Sequence, residues 1–337
     1  AVIPLLRATE ERPESNEIFD EFHKAALEAK EYEVLLEALD KRFKVATEKG
    51  DRIELKLRMS RIMAEYLKDI DGAIRIIREA VDVDPANERF AELIIDAARS
   101  IEDNLPPNEK GYVFSWLMKT YKQHADYYEA SDPFRVIFLK QVAKIHIEGL
   151  EDPASGFATL REAHRLNPAN TDILTELWNV AASRGYWEPL VDHLSDILRL
   201  SIKMEIAKLI HEYRAKVLEE NLGRHEEAAE HYWQIIQVDP DHPYAFRKLA
   251  DFYRSVGRYN DLLMLLESEV EKHEEKETKV TLLKEIASVW EKDMNNKFEA
   301  VDVYKRVLTL EPDEADSQAA IQKLQKTKLG LSLRLGE

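Results

Sequence analysis

Prolines stand at positions 13, 85, 168, 240 and 312, so the gaps between them are 72, 83, 72 and 72. Twelve residues before each proline is a small residue: Ala1, Ala73, Gly156, Ala228 and Ala300. Eight before each is a larger apolar one, in the order Leu5, Ile77, Leu160, Tyr232 and Tyr304. Twenty-five before the last four is another small residue: Ser60, Ala143, Ala215 and Ala287. Three registers agreeing at one period predict stacked supersecondary units, none of which can bury its apolar face alone. A chain of 337 residues that folds this way needs no single large core.

The period has internal structure. Residues 17–43 match 172–198 at a constant shift of 155, one short gap and one long one. Phe19, Phe22, Ala26, Tyr32, Leu35 and Leu39 take the places of Leu174, Leu177, Ala181, Trp187, Leu190 and Leu194. Spacings of three and four put these on one stripe of each of two helices, with a break near 29–31. Each period is therefore two helical hairpins of about 36 residues, and the expectation is an all-α chain of eight hairpins and about eighteen helices.

Taken in order, residues 1–12 align on 73–84 and read as the second helix of an incomplete leading repeat. Either the sequence is a piece of a longer repeat array or this is a divergent N-terminal cap, in which Pro4 is tolerated in a first helical turn. The array proper is expected over 13–312, with a hairpin turn at Asp69–Gly72. Eleven extra residues are placed in the stretch 100–110, where Pro106 and Pro107 must end one helix and a second starts at about Asn108 or Glu109. The stretch after it holds a candidate aromatic contact cluster, Tyr112, Trp116, Tyr121 and Tyr127, whose alternative reading is bulkier packing. Later turns fall at Gly149–Pro153, Gly185–Tyr186, Asn221–Arg224, Gly257–Arg258 and Asn295–Lys297. Residues 313–325 read as a solvating capping helix, and 326–337 as a tail that is either disordered or packed on a neighbour.

With 65 acidic against 48 basic side chains the formal charge is −17, which argues against non-specific binding to nucleic acid. No cysteine is present, so disulfides and thiolate chemistry are excluded. No apolar run is long enough to cross a membrane. The compartment stays open, with the cytoplasm favoured.

The motif Phe246-x2-Leu249-Ala250-x2-Tyr253, followed by Gly257 and Tyr259, resembles the first helix and turn of a tetratricopeptide repeat (TPR). Leu283-x2-Ile286-Ala287-x2-Trp290 resembles another first helix. Ala228-x3-Tyr232-x7-Pro240 and Ala300-x3-Tyr304-x7-Pro312 are similar to its second helix and closing proline. The chain departs from the pattern at Trp178, where the family has a small residue, and at Leu190 and Leu262, where it has alanine. The resemblance implies a right-handed α-solenoid whose concave surface is lined by the first helix of each hairpin.

A search for chemistry finds no catalytic constellation and implies no cofactor. His225 and His231 are six apart, the wrong spacing for two imidazoles on one helical face, and His193 beside Leu190 and Leu194 reads as a packed or hydrogen-bonded side chain. The first-helix lane that the resemblance implies holds Arg61, Lys140, Lys144, Asn179, Lys216, Arg247, Arg254 and Lys284, with Asp96, Glu212, Asp251 and Glu291 among them. Such a basic lane suits an acidic segment or a terminal carboxylate, and its alternative is ion pairing between neighbouring helices. The family's carboxylate clamp is not reproduced, because Thr175 stands where it requires a lysine one turn before Asn179. The expected function is a non-catalytic protein–protein interaction scaffold holding a partner peptide or helix, with no nucleic-acid partner. The alternatives are a self-associating structural module, or the interaction arm of a larger protein whose active part lies upstream.

Overall fold

The computed structural model describes residues 2–12 and 15–332. These form eighteen α-helices, with no strand among the described residues. Two compact units divide the chain, residues 1–193 and 194–337.

In the first unit α1 (Val2–Glu11) leads, followed by the hairpins α2 (Asn16–Glu28) with α3 (Tyr32–Val45), α4 (Lys49–Glu65) with α5 (Ile70–Val83), and α6 (Glu88–Asp103) with α7 (Tyr112–Tyr127). Then come α8 (Pro133–Lys144) with α9 (Pro153–Leu166) and α10 (Thr171–Arg184) with α11 (Trp187–Leu198), in which the division between units falls. The second unit holds α12 (Met204–Lys216) with α13 (His225–Val238), α14 (Pro243–Ser255) with α15 (Tyr259–Lys272), α16 (Lys276–Ser288) with α17 (Lys297–Leu310), and finally α18 (Ala315–Ser332). Connections this short make consecutive helices antiparallel neighbours. Helix α18 runs past residue 325, where the sequence pattern ended it; Pro13 and residues 333–337 lie outside the described residues.

Small residues set how close the helices of a hairpin come. Ser60, Ala143, Ala215 and Ala287 on the first helices are fully buried, as are Ala73 and Ala300 on the second. Between α8 and α9 the approach is close, since a Cβ built on Gly156 would lie 3.1 Å from the Ala143 carbonyl oxygen. Larger side chains then fill the spaces between hairpins: Phe19, Phe22, Leu35 and Leu39 in the first unit, Leu262, Leu266, Leu283 and Ile286 in the second. Trp178, large where the family has a small residue, turns its ring edge-on to Trp187 at 5.2 Å.

A residue in the left-handed conformation closes seven of the hairpins: Lys30, Lys68, Glu151, Gly185, Gly223, Gly257 and Asn295. The last five stand 34, 38, 34 and 38 apart, so short and long turns alternate and one of each makes the 72-residue period. In the short turns a single bond reaches back five residues, from Glu31 to Ala26, Tyr186 to Ala181 and Arg258 to Tyr253. In the long ones the first helix widens at its end into a π-turn, over Ile145–Gly149, Val217–Asn221 and Val289–Asp293. A second bond there spans six residues, from the amides of Asp152, Arg224 and Asn296 to His146, Leu218 and Trp290. The α4–α5 turn makes the same bonds with Lys68 at its bend, so it lies at 66–69 and not at the expected 69–72; Asp69 caps α5 and Gly72 is already helical.

The eleven extra residues are shared between the connection 104–111 and the helices it joins, α6 and α7, which at 16 residues each are longer than α10 and α11 at 14 and 12. Pro107–Glu109 is a single 3-10 turn and α7 begins at Tyr112, three or four residues later than expected, because Gly111 takes the left-handed conformation first. No side chain at the N-cap satisfies the first amides of α7. Glu102, buried at the end of α6, does so instead: its carboxylate accepts from the backbone amides of Gly111 and Val113, and its carbonyl accepts from Lys110 Nζ.

Two predictions follow from these turns. Glu151→Gly should stabilise the chain by up to about 1 kcal/mol and Gly223→Ala cost about as much, read as opposite shifts of the urea midpoint at unchanged slope. Replacement of Glu102 by Leu should cost about 1–3 kcal/mol, with the amides of Gly111 and Val113 losing protection in hydrogen exchange ahead of the rest of α7.

Candidate functional site

Within the first unit the lane of first helices runs over α4, α6, α8 and α10. Arg61 on α4 and Asn179 on α10 are exposed. Lys140 and Lys144, one helical turn apart on α8, reach Glu88 and Glu92, one turn apart on α6, at 2.8 and 3.2 Å. The lysines are more covered than the glutamates: 15% and 32% of their side-chain surface is exposed, against 51% and 62%. Burial is the largest single influence on the Lys140 pKa and lowers it, but the hydrogen bond to Glu88 and the charges of Glu88, Glu176 and Asp172 together outweigh this and raise it. The two pairs form a ladder between neighbouring hairpins, and the lane that reads as basic in the sequence carries matched charges in the structure.

The second unit repeats the arrangement on α12, α14 and α16. Arg254 pairs with Glu285 of α16 and also lies 3.8 Å from Asp251. Lys284 donates to Glu314 at 2.8 Å and Asp316 at 3.0 Å. Its ammonium and the Ser317 bonds hold the Glu314 carboxyl down to about 2. Lys216 and Arg247 are exposed. Of the lane's carboxylates, Asp96 pairs with Arg99, Glu212 with His242 at 3.3 Å, and Glu291 with Lys323 at 3.5 Å. The repeat tyrosines do more than pack: Tyr232 Oη donates to Glu219 at 2.5 Å and Tyr304 Oη to Glu291 at 3.2 Å, a pair of contacts 72 residues apart.

A cavity of about 320 Å3 opens between the three successive first helices α6, α8 and α10. Glu88 and Glu92 line it from α6, Lys140, Gln141 and Lys144 from α8, and Glu176 and Asn179 from α10, with Glu148 at its edge. It thus gathers three of the expected lane residues. Gln141 and Glu176 escaped the sequence reading, since a lone amide or carboxylate on a helix carries no signal of its own. Glu88 and Glu92 did leave one, because their spacing of four matches that of Lys140 and Lys144 on the helix they face.

The aromatic cluster is not one surface. Tyr121 is fully buried against Phe138, with ring centroids 6.5 Å apart, and so is withdrawn as a contact residue. Trp116 is half-buried. Tyr112 and Tyr127 are exposed at opposite ends of the 16-residue α7, and Tyr112 donates its hydroxyl to Asp71 at 3.2 Å.

Four of the ten histidines form two pairs. In the first unit His164 Nδ1 lies 2.9 Å from His193 Nε2, both rings fully buried, as the packed reading of His193 expects. In the second unit His211 Nδ1 lies 2.7 Å from His231 Nδ1. One ring of each pair must accept, which requires at least one neutral imidazole. Burial drives His164 down to about 4, and burial with the adjacent Arg214 drives His231 down to about 3. Among the described residues no group of three or more side chains could hold a metal ion, and no helix is long and apolar enough to cross a membrane.

No protein-family model matches the chain, and no curated protein does. Among solved structures it is similar to Naa15/Naa10 bound to HypK-THB, at 15% identity over 95% of this chain with a TM-score of 0.39; it spans 47% of that chain. It is also similar to the C-terminal part of a TPR repeat-containing protein from Cytophaga hutchinsonii, at 10% identity over 79% of this chain and 99% of that one, TM-score 0.32. A third likeness is to Pseudomonas aeruginosa pilF, at 11% identity over 83% and 99%, TM-score 0.31. The fold stands on the helices, turns and small-residue registers described above.

The histidine pairs predict a pH dependence. An unfolded histidine takes up its proton near pH 6.5 while His164 and His231 stay neutral in the fold, so stability is full above that pH and is lost as pH falls toward 4. The expected loss is about 1–3 kcal/mol for each of these two histidines, read as the fall in urea midpoint between pH 7 and 4.5. A His164→Gln chain should be less stable at pH 7 and show a smaller fall.

Proposed function

We propose that the chain is a non-catalytic scaffold that holds a segment of another protein, a peptide or a helix, along its first helices, the face that the tetratricopeptide resemblance makes the concave surface. The observation that carries this reading is the cavity between α6, α8 and α10, whose walls combine charged and amide side chains with the apolar Ile147 and Val180. A segment lying across successive hairpins meets it directly. The contact residues on this reading are Arg61, Lys140, Lys144 and Asn179 in the first unit and Lys216, Arg247, Arg254 and Lys284 in the second. Charges so arranged set orientation and on-rate more than affinity, which comes from apolar anchors on the partner.

The sequence expects an acidic partner segment. Glu88, Glu92 and Glu314 already occupy Lys140, Lys144 and Lys284, so an acidic segment would bind by competing with them. A second reading, self-association, is favoured by the exposed apolar side chains Met264 and Phe298, at 73% and 66%.

The test is capture from native lysate with the wild-type chain and the Lys140→Glu/Lys144→Glu variant, beside a sedimentation series. A single protein retained by the wild type and reduced at least tenfold by the variant supports the lane, and retention within twofold overturns it. Recovery of the chain alone, with concentration-dependent sedimentation, supports self-association instead.

A further inference from the structure

The cavity between α6, α8 and α10 has an uneven inventory. Four carboxylates and two ammonium groups line it. Both ammonium groups are taken, Lys140 by Glu88 and Lys144 by Glu92, and Glu148 is held by Arg99 at 3.1 Å. That leaves Glu176, half-buried on α10, with no hydrogen bond or ion pair among the described residues. It also leaves Gln141, only 5% exposed, whose Oε1 has no donor. Asn179 at the exposed wall can donate or accept, so the two covered groups left over are both acceptors, one charged and one neutral. A buried acceptor without a donor is costly, and so is a half-buried carboxylate without a counter-ion. Burial accordingly pushes the Glu176 carboxyl above its ordinary range, against the pull of Lys140.

We infer that this cavity is a recognition pocket for an arginine side chain of the partner segment, with Glu176 and Gln141 Oε1 as its acceptors. The inference rests on the scaffold reading and gives its partner a chemistry opposite to the acidic segment that the lysines suggest. Arginine fits the inventory because its planar fork presents five N–H donors: two can pair side by side with a carboxylate while others remain for an amide oxygen. A lysine brings charge but not the fork. The volume of about 320 Å3 lies at the small end of ligand pockets, about 300–1,000 Å3, which suits one long side chain and not a folded element. The ladder pairs Lys140–Glu88 and Lys144–Glu92 wall the cavity on one side, so the incoming cation meets ammonium groups whose charge is already matched.

The full chain is panned against a displayed random peptide library, and the enriched peptides are synthesised and their affinities measured. The expected result is a common position occupied by arginine. Affinity should then fall at least tenfold when that arginine is replaced by citrulline, and again when the intact peptide meets Glu176→Gln or Gln141→Leu. Thermal unfolding of each variant checks the fold; should Gln141→Leu fail it, Glu176→Gln decides, since that side chain is half in solvent. Enriched peptides with no basic position, or affinities within twofold for citrulline or for Glu176→Gln, overturn the arginine pocket and leave the scaffold reading standing. No enrichment over a blank support overturns both.

Discussion

Every other feature of this chain depends on how near two helices of a hairpin can come. At Ser60, Ala143, Ala215 and Ala287 the first helix presents almost no side chain, and at Ala73, Gly156, Ala228 and Ala300 the second does likewise. With interaxial distances of about 8–10 Å already typical of packed helices, small residues bring the backbones to the near limit and fix the sliding position of one helix on the other. Only then do the bulky positions, Phe22, Leu39, Leu266 or Ile286, project outward to meet the next hairpin. The stack grows because each hairpin is complete inside and incomplete outside.

The same register governs the surface. Since first helices repeat at fixed offsets, a side chain on one faces a predictable side chain on the next, and the chain uses this to tie hairpins together through charge: Lys140 and Lys144 to α6, Arg254 to α16, Lys284 to the start of α18. Half-exposed pairs of this kind contribute little stability singly. Their effect is on the potential of the lane, which they bring close to balance, so that the groups left without partners set its preference.

Helix positions and stacking order were legible in the sequence because they are periodic, and periodicity is a property of one chain read alone. The proline, small-residue and tyrosine registers needed no knowledge of neighbours. The sign of the lane stayed open between a basic strip and ion pairing of neighbouring helices, because it depends on which carboxylate stands opposite each lysine across a gap of 52 residues, Glu88 to Lys140 and Glu92 to Lys144. Tyr121 stayed open between contact and packing for a related reason: in a dense run of aromatics, which ones face the core is decided by the neighbouring helices. Glu102 was missed because a glutamate ending a helix is ordinary until the loop after it supplies two amides with no other acceptor. The start of α7 was misplaced because prolines tell where a helix cannot continue but not how many residues a left-handed glycine adds before the next begins.

The alternation of short and long turns bears on what repeats in this chain. Were the single hairpin the repeating unit, turns of one length would stand beside each other. From Glu151 to Asn295 they never do. The hairpin is the unit of packing, but the unit of repetition is the pair: only a step of two hairpins restores both the π-turn and the plain turn in sequence. A gain or loss of one hairpin would break a rhythm that the chain keeps even across its eleven-residue irregularity.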